Sequence, residues 1–239
     1  MLPLTDLNPT RRFPILTYTL IVINVLVFLW ESSMSPSALE AAIRELSVVP
    51  ANVSANPFSL ATLLDSLRSM FFHGGWAHLL GNMLYLYLFG DNIEDVLGRI
   101  MYLVLYFASG FAAVIAQVAI DPASPIPLVG ASGAIAGVLG SYLVLFPTVR
   151  VRGVVVLVFI AMIREWPAWI VLGMWFGLQL LQGWLSLGIE TGGGVAFFAH
   201  IGGFVLGMIL TWLIMIFAPQ PPVSQRQQVL YQRARRYPF

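Results

Sequence analysis

No cysteine and no lysine occur among the 239 residues, and only 10% are charged. The missing cysteine excludes disulfide frameworks, thiolate metal sites and cysteine nucleophiles. The shortage of charge excludes an ordinary soluble domain, where roughly 25% of residues are charged. No basic stripe interleaved with aromatics is present, so nucleic acid is not an expected partner. What remains is 59% hydrophobic residues. That much apolar surface needs a bilayer as its solvent.

Six apolar runs are read as spans: 14–30, 76–89, 100–120, 132–146, 168–187 and 195–217. The run at 132–146 is shorter than the ~20 residues that cross a hydrocarbon core, so it must lie among other helices or border water. The run 153–163 is too short to span, and is read as interfacial or re-entrant. With the N-terminus in the cytoplasm, ten arginines face the cytoplasm and two, Arg44 and Arg68, fall outside. This satisfies the positive-inside rule. The expectation is a multi-pass, all-α membrane protein with both ends cytoplasmic. Residues 1–13 form its N-terminal segment, 14–217 the membrane domain and 218–239 a basic tail.

Residues 31–72 are expected to hold their own structure. Ser37 with Glu40 suggests a capping box ahead of a helix to about Leu46, and 59–72 reads as a second short helix. Gly90-Asp91-Asn92 reads as a turn that closes the second span.

Polar residues at membrane depth are costly without a partner or a task. There are three histidines: His73, His78 and His200. Asn82 lies four residues after His78, on the same helical face. Gly130-Ala131-Ser132-Gly133 opens the short span and is not the G-x-S-x-G elbow of soluble hydrolases. Gly133 with Gly137, and Gly203 with Gly207, are G-x-x-x-G pairs that suit close helix approach. Each feature alone reads more readily as packing or an interhelical hydrogen bond than as chemistry. Together they form an inventory for acyl transfer: a serine, a histidine base and donors for an oxyanion. The carboxylates near Glu94 and Glu165 fall on the opposite side. A dyad is therefore expected rather than a triad.

The ordered set resembles the rhomboid family of intramembrane serine proteases. It comprises His73-Gly74-Gly75-Trp76-Ala77-His78-Leu79-Leu80-Gly81-Asn82-Met83, Phe89 to Asp95 with Gly98, Gly130 to Gly133, and Ala199-His200-Ile201-Gly202-Gly203 with Gly207. The resemblance implies a six-transmembrane-helix bundle with a structured outer loop between helices 1 and 2. It implies Ser132 as nucleophile and His200 as base, and an oxyanion site from Asn82, His78 and the Ser132 amide. His73, Glu94, Gly130, Gly133, Gly203 and Gly207 carry structural roles in it. Neither cofactor nor metal is implied. Substrates would be transmembrane proteins, and the setting a prokaryotic cell membrane. A non-catalytic, rhomboid-like chaperone or scaffold that binds client helices is the alternative. Some relatives place a tyrosine four residues after the nucleophile, where Ala136 stands here; another aromatic, for instance Phe197 or Phe198, is expected to support His200.

Overall fold

The computed structural model describes residues 2–157, 160–187 and 195–217, and the tail at 218–239 lies outside them. The order is β1 (Leu2–Asp6), α1 (Ile15–Ser32), α2 (Pro36–Leu46), α3 (Pro50–Ala55), α4 (Leu60–Ser69), α5 (Trp76–Ile120), α6 (Ser132–Leu145), β2 (Arg150–Leu157), β3 (Ile160–Pro167), α7 (Ala168–Ser186) and α8 (Phe197–Phe217). Among the described residues, four helices, α1, α5, α7 and α8, are long and apolar enough to cross a membrane. α6, with 14 residues, is not.

α5 has 45 residues with non-helical backbone at Gly98, whose φ of 76° suits glycine. The two arms, 76–97 and 99–120, fold back on each other there. Twelve residues of straight helix would separate Gly90 from Tyr102 by about 18 Å. Instead, a Cβ on Gly90 would lie 2.8 Å from the Tyr102 hydroxyl. The expected turn at 90–92 is therefore corrected. Those residues are helical, and Gly90 is small because Thr17, Leu86 and Tyr102 crowd it.

α6 is buried along most of its length, from Gly133 to Tyr142. Its glycines let neighbouring backbones approach. A Cβ on Gly203 would collide with the Gly133 carbonyl, and one on Gly207 with the Gly137 carbonyl. Gly137 itself meets Ser109 of α5. Three helices thus meet on backbone contacts, with Phe89, Leu139, Tyr142 and Phe204 filling the interior.

At the end opposite Ser132, Glu94 caps α1. Its carboxylate accepts hydrogen bonds from the backbone N–H of Leu16 (3.0 Å) and Thr17 (2.8 Å) and from the Thr17 hydroxyl (2.9 Å). A helix N-terminus has such donors free and favours negative charge. Arg11 pairs with Asp95 at 2.8 Å on the same end.

A three-stranded antiparallel sheet, ordered β1-β2-β3, also sits there. The run 153–163, read from sequence as interfacial or re-entrant, instead contributes to β2 and β3. Residues 2–6 of the N-terminal segment are its third strand. Along the start of β2, Arg150 and Arg152 are exposed while Val151 and Gly153 are buried, the period of a half-covered strand.

The segment 31–72 holds three short helices. Ser35, not Ser37, caps α2, accepting from the Ala38 N–H at 3.3 Å. Ser59 caps α4, accepting from the Thr62 N–H at 3.1 Å. Backbone hydrogen bonds from Leu128 to Val48 (2.7 Å), Ala51 to Ser124 (3.1 Å) and Gly130 to Ser69 (2.9 Å) fix this segment to the loop before α6.

Candidate active site

A cavity of about 1340 Å³ opens at the end of the bundle that carries the N-terminus of α6. His78, Asn82, Ser132 and His200 all line it. Ser132 is the first residue of α6, where backbone N–H groups have no helical partner. Gly130, at φ +124°, turns the chain into that helix in a conformation other residues rarely adopt. A Cβ there would also run into the His78 ring.

The Ser132 Oγ lies 2.8 Å from His200 Nε2. His200 is in the first turn of α8, and the glycine contacts between α6 and α8 begin three residues on at Gly203. Close helix packing thus sets the separation of the two side chains. His200 Nδ1 lies 2.7 Å from the Gln179 Oε1 of α7. An amide oxygen only accepts, so Nδ1 carries the proton and Nε2 offers its lone pair to the Ser132 hydroxyl.

His78 accepts the Gly74 N–H on Nδ1 at 3.4 Å, which leaves its Nε2–H as a donor beside Gly130. Asn82 is buried, and its Nδ2 has no hydrogen-bond partner among the described residues. A buried, unused amide donor is rare enough to call for a role. The helix N-terminus adds partial positive charge at the same place.

His73 stands behind this group. Its backbone N–H donates to the buried Glu31 carboxylate at 3.2 Å, and its ring Nδ1 donates to the Phe71 carbonyl at 3.1 Å. Burial pushes its imidazole down to about 4, and the adjacent His78 adds to this, so the ring is neutral at pH 7. The two rings meet edge to face at 5.1 Å. Glu31 is thus the carboxylate engaged behind the site, and it serves His73 rather than His200.

Sequence reasoning missed two partners of His200. One is Gln179. The other is Trp175, whose ring lies 5.8 Å from the imidazole with 34° between the planes. Trp175 rather than Phe197 or Phe198 gives His200 its aromatic ring contact. Both residues were available from sequence. Gln179 is an amide inside an apolar run, and Trp175 lies one turn before it on the same face.

Comparison with known proteins gives the family. The model of the rhomboid domain matches residues 61–217. The chain belongs to the rhomboid family. It is 34% identical over 157 residues to RHOMBOID-like protein 4 of Arabidopsis thaliana, covering 64% of this chain and 34% of that one. It is 28% identical over 205 residues to the mitochondrial Rhomboid protein 1 of Saccharomyces cerevisiae, covering 83% and 53%. The chloroplastic Rhomboid-like protein 11 of Arabidopsis thaliana matches at 26% over 174 residues, covering 68% and 55%. The chain therefore spans about a third to a half of these relatives. As a rhomboid protein with four apolar helices of spanning length, it is an integral membrane protein.

Proposed function

We propose that the protein is an intramembrane serine endopeptidase acting through a Ser132–His200 dyad. The observation that carries this is the 2.8 Å contact between Ser132 Oγ and His200 Nε2, inside a cavity with an unpaired amide donor. Serine is a weak nucleophile until a base takes its proton. Here His200 Nε2 takes it as Oγ attacks the scissile carbonyl. The developing oxyanion receives hydrogen bonds from Asn82 Nδ2, His78 Nε2–H and the Ser132 amide. The imidazolium then protonates the leaving amine. Water, deprotonated by the same nitrogen, releases the acyl group. No metal or cofactor enters the scheme.

Substrates in this reading are membrane proteins cut within or beside a transmembrane segment. A helix must unwind locally to present its carbonyl, so helix-breaking residues near the cut assist cleavage. The two arms of α5 count as separate spans, which with α1, α6, α7 and α8 makes six. Arginine placement supports a reading with both chain ends in the cytoplasm and the cavity on the opposite side of the membrane, taken here as a prokaryotic cell membrane.

The test is cleavage of a transmembrane reporter by the purified chain in liposomes. Wild type is expected to cut, and Ser132→Ala and His200→Ala to lose at least about 1,000-fold in rate, as removal of a nucleophile or base does. Equal cleavage by Ser132→Ala would overturn the assignment. A chain that binds client helices without cutting them would instead be the scaffold alternative.

A further inference from the structure

α7 is held by a narrow contact face. Along its 19 residues only Ala168, Val171, Leu172, Gln179 and Gly183 are buried, a single stripe at helical spacing. Four members of that stripe are small or aliphatic. The fifth is an amide, 8% exposed, in the turn that faces His200. An amide in that position forfeits the packing a leucine would give, and it spends its acceptor on one atom, His200 Nδ1, at 2.7 Å.

We infer that Gln179 is a positioning residue for the base, and that α7 must be docked on α8 for the dyad to be aligned. This rests on the protease reading above. A neutral imidazole has two tautomers, and only the one protonated on Nδ1 leaves Nε2 free to accept from Ser132. The Gln179 carbonyl selects that tautomer. It also fixes the ring about χ2, because Trp175 lies against its face while Nδ1 is tethered at its edge. When Nε2 takes the serine proton, the Nδ1–H···Oε1 bond becomes charge-assisted and strengthens.

The choice of amide over carboxylate has a physical reason. A buried anion costs several kcal/mol in a low-dielectric site, and more so at membrane depth. It would also raise the pH below which His200 is protonated and cannot accept the serine proton. Among the described residues, the titratable group that faces His200 is His78 of α5, and Ser132, Trp175 and Gln179 also lie against it. Because Ser132 and His200 sit on α6 and α8 while Gln179 sits on α7, withdrawal of α7 releases the base from its tautomer.

Two variants of the full chain in liposomes test this. Gln179→Leu keeps the volume and removes the acceptor. It is expected to lower kcat about 10- to 100-fold with KM within about twofold, since the bond matters most once the imidazolium forms. Gln179→Glu restores an acceptor with charge. It is expected to recover part of kcat and to raise the pH of the acid limb of kcat/KM by about 1 to 3 units, the effect of a carboxylate beside a cation. A packing role alone predicts that leucine is tolerated and that the limb stays put. Leucine within twofold of wild type, or an unmoved limb in the glutamate variant, would overturn the inference. A wild type that does not cleave at all would sink the protease reading instead. The tautomer is then read directly by ¹⁵N spectra of histidine-labelled protein, simple with three histidines. His200 protonated on Nδ1 in wild type but not in Gln179→Leu supports the inference, and the same tautomer in both rejects it.

Discussion

A glycine can mean two opposite things inside one helix pattern. Gly203 and Gly207 lie against backbone carbonyls of α6, whereas Gly173 and Gly177, also spaced G-x-x-x-G, have nothing within 4 Å of where a Cβ would sit. Sequence spacing does not separate these cases, because it cannot say which face meets a neighbour. Substitution does. Gly203→Ala must push α8 away from α6 and should cost about 1–3 kcal/mol, typical of overpacking. It should also lengthen the Ser132–His200 contact, and cleavage and thermal unfolding should fall together. Gly173→Ala and Gly177→Ala should be neutral or stabilise by up to ~1 kcal/mol, from helix propensity alone. Thermal melts in one detergent compare all three. Ser132, His200, His78 and Asn82 were legible as candidates because a polar residue in an apolar run stands out. Gln179 obeys the same rule, but its partner His200 lies on another helix, and spacing along one helix does not reveal that contact.

At the scale of elements, the apolar runs were legible as helices, and the errors fell where one residue type serves two purposes. Gly90 before Asp91 and Asn92 has turn chemistry, yet Tyr102 and Thr17 need the space it leaves, and the reversal occurs eight residues later at Gly98. The valines at 154–156 favour a strand by their branching, but a fully apolar run hides the alternation that marks one. The strand β1 was invisible, since its pairing with β2 is a contact across 150 residues of sequence. One carboxyl anchors it. Asp6 accepts from the Tyr142 hydroxyl (2.7 Å) on α6 and from Asn92 Nδ2 (3.0 Å) on α5. Burial pushes the Asp6 carboxyl up from 3.8 to about 7, against the Tyr142 hydrogen bond and with help from Asp91. A folded-state value above the unfolded one favours folding most below pH 3.8, and that contribution is lost as pH rises to about 7. Wild type should therefore lose thermal stability between pH 5 and pH 8 more than Asp6→Asn does. Melting both proteins at the two pH values checks this.

For the whole molecule, the packing of α7 on α8 offers a direct handle. A Cβ on Gly183 would lie 3.4 Å from the Phe197 Cβ, close to the ~3.8 Å between bridged cysteines. The chain has no native cysteine, so Gly183→Cys with Phe197→Cys adds one defined bridge. Oxidised, this variant keeps α7 docked and Gln179 on His200. It should label with a small serine-hydrolase probe at a rate near wild type. Cleavage of a transmembrane reporter should fall about tenfold or more if that substrate enters between α7 and its neighbours, and return on reduction. Probe labelling that drops on oxidation would argue that the docked arrangement is not the reactive one.

The reversal at Gly98 also constrains how the protein is made. Since the chain turns back at one residue, the arms 76–97 and 99–120 have no connecting loop to separate them. The first arm carries Leu86, Phe89 and Ile93, which are fully buried in the finished bundle, and the second carries Tyr102 and Tyr106. Each arm covers part of the other's apolar surface, and α1 and α6 cover the rest. We expect the pair to enter the bilayer during synthesis as one helical hairpin, and, in the orientation proposed above, Arg99 beside its tip to stay on the side from which the chain arrives.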